Sequence, residues 1–277
     1  MLSSFTVAVG IVRDDNVAHD TGKSMIDYDL HIHTEYCGHA KGLTVELICR
    51  RAENMGLKAI AITDHIYGPE SMAAIEKIRA DLAAAHPKIK VYVGAEIDVD
   101  ADFTDGRLTA DIPSGLDYVI AGFHYVPTMG HYPWSIDDRR LDEETFLQVW
   151  ESSLLGIVSQ PGITTMAHPG RMLAACMDLD VYFEHGLAVL AKAAGISARN
   201  NVAWELNELT GHRLAPRWQN EWYRIYKVAL EAGVKIIFGS DAHTTDWIAK
   251  QTFAELVLSR LPKGCLSRPE DIIRQES

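Results

Sequence analysis

The sequence predicts an α/β fold, a closed or nearly closed barrel of seven β/α units. Three observations carry this expectation. From Met25 onward, short apolar runs alternate with longer helical stretches. The runs are too short and too uniformly apolar for half-exposed strands, as expected when both faces of a parallel sheet are buried. The length, 277 residues, suits one large barrel domain with a full core.

The strand candidates are Ile26–His33, Lys58–Thr63, Ile89–Ala95, Asp117–Phe123, Ile163–Ala167, Val202–Leu206 and Lys235–Gly239. Between the first two, Thr44 is placed to cap a helix whose apolar face is Val45, Ile48, Ala52 and Met55, with Gly56 as its stop. Pro69 opens the next helix, which runs to about His86-Pro87. Further helices are expected over Asp142–Val158, Asp180–Ala194, Arg217–Ala232 and Thr245–Leu258. The segment Phe103 to Leu108, with its Asp105-Gly106 turn, predicts a small hairpin inserted after the third strand. Right-handed crossovers then close the strands into a barrel. Residues 1–24 stand apart as an extension or linker, because Asp14 to Lys23 is polar and aperiodic. Residues 25–277 form one domain.

Composition narrows the function. Hydrophobic residues make up 47% and charged residues 23%, values of an ordinary globular chain. The apolar run Phe5 to Val12 is too short to cross a bilayer and lacks the flanks of a signal peptide, so the reading is cytoplasmic, with no membrane partner. The four cysteines form no CxxC pair, which argues against a thiolate zinc site or a disulfide framework. Cys37 lies beside the strongest motif, and it is read as a reduced thiol near the site. A net charge of −12 disfavours extended nucleic acid as a partner. A small anionic substrate remains compatible, since bound cations reverse the local field.

What stands at the strand ends decides the chemistry. Strand one ends in His31-Ile32-His33, with His39 in the following loop. Asp64-His65 follows strand two, Glu96 strand three, His124 strand four and His168 strand five. Strand six carries Glu205 and Asn207, and strand seven leads to Asp241-Ala242-His243. In a β/α barrel these positions share the C-terminal face, where active sites are built. Each has a bland reading alone: Asp64 as a helix cap, His168 as a turn residue, Glu96 as a solvated carboxylate. Together they would require a coincidence at nearly every strand end. Imidazole and carboxylate without thiolate suit zinc, manganese or iron. So many ligands exceed the needs of one ion and suit two or three.

Other residues are weaker candidates. His19, His86 and His185 are read as structural. His131 and His212 are expected in loops on the active face, in reach of substrate. Arg171, after His168-Pro169-Gly170, and Arg213 could each offer a planar fork to a phosphate. Tyr125 and Trp134 are candidates for a lid or for loop packing.

His31-Ile32-His33, His39, Thr63-Asp64-His65, Glu96, Gly122-Phe123-His124, Ala167-His168-Pro169-Gly170 and Gly239-Ser240-Asp241-Ala242-His243 resemble, in order and spacing, the motifs of the PHP (polymerase and histidinol phosphatase) superfamily. The likeness is greatest to its small stand-alone phosphatases with a trinuclear site. It implies a distorted (β/α)7 barrel and a division of ligands. His31, His33, Glu96 and Asp241 would hold one metal, and Glu96 would bridge to a second held by His124 and His168. His39, His65 and His243 would hold a third. Asp64 would orient a ligand. Every position carries the expected residue type, while residues before Met25 have no counterpart.

The expected activity is hydrolysis of a small phosphomonoester by a metal-bridging hydroxide, with Arg171 helping to neutralise the phosphoryl oxygens. Glu96, Asp241, Asp64 and Arg171 would carry the chemistry. Three rivals stand beside it. A phosphodiesterase or nuclease acting on nucleotides or oligonucleotide ends keeps the fold. An amidohydrolase-type barrel is disfavoured by His124 at the end of strand four, where that class typically places a bridging modified lysine. A metal-binding regulator without turnover is disfavoured by the complete ligand set.

Overall fold

The computed structural model describes residues 26–68, 71–128 and 142–273. Its strands are β1 (Tyr28–Ile32), β2 (Ala59–Ile62), the two-residue β3 (His65–Ile66), β4 (Lys90–Asp98), β5 (Tyr118–Gly122), β6 (Thr165–Met166), β7 (Ala203–Asn207) and β8 (Ile236–Gly239). All named pairs are parallel, in the order β1-β2-β4-β5-β6-β7-β8, with β3 extending the pairing of β4. The order follows the chain, as right-handed β/α crossovers require. The expected seven-unit barrel is therefore present and nearly closed.

The seam between β1 and β8 shows why it is distorted. The backbone ladder there is reduced to bonds beyond the end of β8, with Ala242 N donating to His31 O and His33 N to Ala242 O. Lower in the seam Asp29, wholly buried, accepts from Ser240 N at 2.8 Å and Ala249 N at 3.0 Å. A side-chain carboxylate thus replaces strand pairing, and burial raises it to about 6.

Helices α1 (Val45–Asn54), α2 (Met72–Ala85), α3 (Glu143–Ile157), α4 (Arg171–Cys176), α5 (Leu179–Asn200), α6 (Glu208–Arg213), α7 (Pro216–Glu221), α8 (Tyr223–Glu231) and α9 (Thr252–Leu258) complete the described structure. Thr44 caps α1 through Leu47 N, as the sequence implies, and Asp142 caps α3 through Thr145 N. The core takes both faces of the strands. In β2, Ala59 and Ala61 join one apolar cluster while Ile60 and Ile62 join the other, the two-residue period of a strand buried on both sides.

Several expectations are corrected. Helix α5 runs past Gly195 to Asn200, because the left-handed Asn201 is its actual stop. The stretch 217–232 is two helices, divided at the wholly buried Trp222. Residues 245–258 divide into a 3₁₀ turn (Thr245–Trp247) and α9, separated by Ala249 at φ 61°. That conformation lets Ala249 N reach Asp29. The six-residue α4 and α6 were not anticipated, since neither is long enough to show a helical period. The insertion after β4 does fold back on itself, through an antiparallel bridge from Val99 to Leu108 with Gly106 at φ 73°. Pro69 and the segment 1–24 lie outside the described residues.

Candidate metal centre at the barrel mouth

The parallel sheet delivers the expected side chains to one end. His31 and His33 have the same facing on β1 and its extension, because strand side chains alternate. Both are buried, and their Nε2 atoms lie 3.0 Å apart. Glu96 of β4, buried completely, is the hub. Its Oε2 lies 3.1 Å from His31 Nε2, 3.5 Å from His33 Nε2 and 3.2 Å from His65 Nδ1. Its Oε1 lies 3.1 Å from His168 Nε2 and 3.5 Å from His124 Nε2. Asp241 Oδ1 stands 3.4 Å from His33 Nε2. One carboxylate therefore faces two separate histidine groups with its two oxygens.

Among the described residues, ligand atoms of His31, His33 and Asp241 lie within 4.8 Å of one another, and so do those of Glu96, His124 and His168. A third such group joins His33, His65 and His243. His39 belongs to none of these groups. It is exposed at the rim, its ring 5.5 Å from that of His65 and 6.5 Å from that of His243.

The backbone is bent to make these approaches. His168 has φ 31° and Asp241 φ 58°, in the left-handed region that non-glycine residues seldom occupy. Strain of this kind, of order 1–3 kcal/mol each, concentrates at functional sites.

The electrostatics suit metal ligation. Burial works against charge on Glu96, yet His31, His124 and His65 hold its carboxyl well below the ordinary range. Asp241 is likewise held low against burial, by His31 and Arg171. Burial, aided by His243, lowers His33 to about 3, and burial with Arg171 lowers His168 to about 4. These imidazoles are neutral at pH 7, the form in which they bind metals. His65 Nδ1, turned toward Glu96, is buried without a hydrogen-bond partner, a polar deficit that a bound cation would relieve. The donor set fits divalent metal.

Outside the ring of ligands stand residues that sequence reasoning missed or undervalued. Asp98 accepts from His124 Nδ1 at 2.6 Å. Its signal was available, since it follows Glu96 by two residues and so shares its face of β4. Glu205 accepts from His31 Nδ1 at 2.6 Å and from His168 N at 2.8 Å. Asp64 binds the amide and hydroxyl of Thr34 and lies 4.0 Å from His33 Nδ1. Arg171 is buried and donates to Asp241 Oδ2 at 2.9 Å, so it touches a ligand as well as lining the mouth. His212 is not in a loop. It lies on α6, paired with Glu208 at 3.1 Å and set edge-on to Trp247. His86 ends α2 and His185 lies within α5, structural places as expected. His131, Trp134 and His19 lie outside the described residues.

Above the cluster opens a cleft of about 710 Å³, lined by Tyr67, Tyr125, Arg171, Arg213 and Trp247 together with ligand histidines.

The model of the PHP domain matches residues 29–209. The chain belongs to the PHP family. A probable phosphatase of Caldicellulosiruptor saccharolyticus is 28% identical over 233 residues, covering 81% of this chain and 83% of that protein. The crystal structure of histidinol phosphate phosphatase from Lactococcus lactis, complexed with zinc, L-histidinol and phosphate, superposes with TM-score 0.62 at 18% identity, over 84% of this chain and 93% of that one. A putative histidinol phosphatase from Listeria monocytogenes gives TM-score 0.62 at 14% identity, over 82% and 99%. These two structures share the PHP barrel. No described helix is long and apolar enough to cross a membrane.

Proposed function

We propose that this PHP protein is a metal-dependent phosphoesterase that hydrolyses a phosphomonoester of a small metabolite. The observation that carries the reading is Glu96, buried with each oxygen turned to a different histidine group. We assign His31, His33 and Asp241 to one metal, His124 and His168 to a second, and Glu96 to both. His65 and His243 serve a third, with His39 joining from the rim. Two to three zinc, manganese or iron ions would supply Lewis acidity and an acidified water at neutral pH.

The chain's own residues do the rest. Arg171 and Arg213 face the cleft and offer guanidinium forks to phosphoryl oxygens. Asp64, through Thr34, fixes the loop that follows β1 and leads to His39. Tyr67, Tyr125 and Trp247 give the alcohol portion of the substrate an apolar, partly dry wall. The phosphatases among its relatives, including one whose structure holds phosphate, support the substrate class. The reading includes a place in the cytoplasm.

The test is phosphate release from a panel of phosphorylated metabolites, with manganese, zinc and iron supplied in turn. Release from one or a few monoesters is expected. Activity confined to phosphodiesters would move the assignment to a nuclease, and none with any metal would overturn it.

A further inference from the structure

Glu205 stands at the centre of β7, in contact with two histidines that arrive from different strands. We propose that it is a positioning residue, which fixes the tautomer of His31 and the backbone of His168 so that both Nε2 atoms face Glu96. The inference rests on the metal reading above. Glu205 Oε1 accepts from His31 Nδ1 at 2.6 Å, and Oε2 accepts from His168 N at 2.8 Å. The carboxylate is 2% exposed. A carboxylate only accepts, so Glu205 keeps a proton on Nδ1, and Nε2 is the nitrogen left to give up its proton to a metal. Nε2 lies 3.1 Å from Glu96 Oε2, on the ligand side. His168 holds φ 31°, and its amide bond to Glu205 is what anchors that unfavourable turn.

The fold makes room for this carboxylate. A Cβ at Gly239 on the neighbouring strand would stand 2.2 Å from Glu205 Oε1 and 2.6 Å from His31 Cβ. The main chain of Glu205 is itself fixed by Tyr226, whose hydroxyl donates to its carbonyl at 3.0 Å. Asp98 stands behind His124 in the same way but hydrogen-bonds one histidine, His65 Nδ1 lying farther off at 3.8 Å. Glu205 is thus the carboxylate through which two ligands of different metal groups are set together.

Glu205→Gln isolates the effect. A glutamine has one acceptor oxygen and one donor nitrogen, so it cannot accept both bonds. Its amide would either release His168 N or present N–H to His31 Nδ1, which forces the proton to Nε2 and removes the ligand. Protein stripped of metal is titrated with zinc and with manganese, and bound ions are counted by elemental analysis. Apparent affinity is expected to fall on the order of 10–100-fold for at least one ion. Nitrogen-15 spectra of the zinc-loaded protein should show the His31 imidazole losing its Nδ1-protonated form in Glu205→Gln.

Glu208→Gln is the comparison, since Glu208 is equally buried but accepts from Phe253 N and Ala254 N and contacts none of the assigned ligands. It should lower thermal stability and leave ion affinity and the imidazole spectrum unchanged. Should Glu205→Gln not fold, Glu205→Asp keeps the charge with a shorter reach, and the same affinity loss is expected. Wild-type affinity and an unchanged tautomer in the folded variant would overturn the positioning role. Wild-type protein that binds no metal would instead overturn the metal reading.

Discussion

The inner and outer halves of the histidine cluster are built differently. His31, His33, His168, Glu96 and Asp241 are all 3% exposed or less, and three of them contact a protein group outside the cluster. His31 and His168 lean on Glu205, and Asp241 on Arg171 and Asn207. At the outer edge His39 is exposed, the His243 side chain is 29% exposed, and His243 Nδ1 meets Asp241 alone, its carbonyl at 3.0 Å and its carboxylate at 3.5 Å. The inner half is preorganised by the fold, so ordering its ligands costs little when an ion arrives. The outer half must lose side-chain freedom on binding. The two halves should therefore differ in affinity, exchange rate and sensitivity to mutation.

The sharpest way to break that contrast is at the hub. Glu96→Gln removes the charge between the two inner groups while keeping the side-chain volume. An amide is a poor bridge between dications, so one ion should be lost and turnover should fall at least about a thousandfold, on the order of 4 kcal/mol in barrier. Circular dichroism should remain that of the folded barrel. Near-normal turnover with all ions retained would remove Glu96 from its central place.

Metal removal tests the halves against each other directly. Under a mild chelator, ions should leave in at least two phases, the first accounting for the outer position. Elemental analysis along the time course reads this out. A single phase in which all ions leave together would mean that the halves are coupled and the exposure difference has no energetic consequence.

Arg171→Ala probes the boundary between ligand support and substrate contact. Sequence reasoning gave Arg171 a phosphate to bind, and the fold adds the bond to Asp241. Losing a buried charge-assisted bond costs about 3 kcal/mol. Weaker substrate binding alone is expected if the phosphate contact dominates. A loss of metal as well would make Arg171 chiefly a support for Asp241, and kinetics measured beside ion content separates the two.

These contrasts were only partly legible in the sequence. The barrel and the convergence of histidines and carboxylates at one mouth were, because short apolar runs and the residues that end them are local features. The supporting groups were harder to see. Glu205 was noted as ending a strand, yet its partners are 174 and 37 residues away, and no spacing rule links them. Asp29 reads as one more acid in a strand, and only barrel closure sets it against Ser240 and Ala249. His212 follows a strand that runs directly into a helix of six residues, too short to announce itself by periodicity. His39 presents the opposite case. Its motif places it among the ligands, but its loop leaves it at the rim.

His39 therefore carries the smallest expected effect. It stands in solvent, outside the triads, and its backbone amide meets only Cys37 Sγ at 3.4 Å. Its ring must move toward His65 and His243 to share an ion, so the free energy it gains is reduced by the cost of ordering that loop. His39→Ala should lower turnover by no more than about tenfold, about 1.4 kcal/mol. The inner ions should stay bound, while the outer one exchanges faster. His33→Ala offers the matched comparison, since His33 is buried and shared between two of the groups. It should cost far more and release inner metal. Equal losses in the two variants would show that the loop closes fully over the ion, making the outer half as well ordered as the inner one once metal is bound.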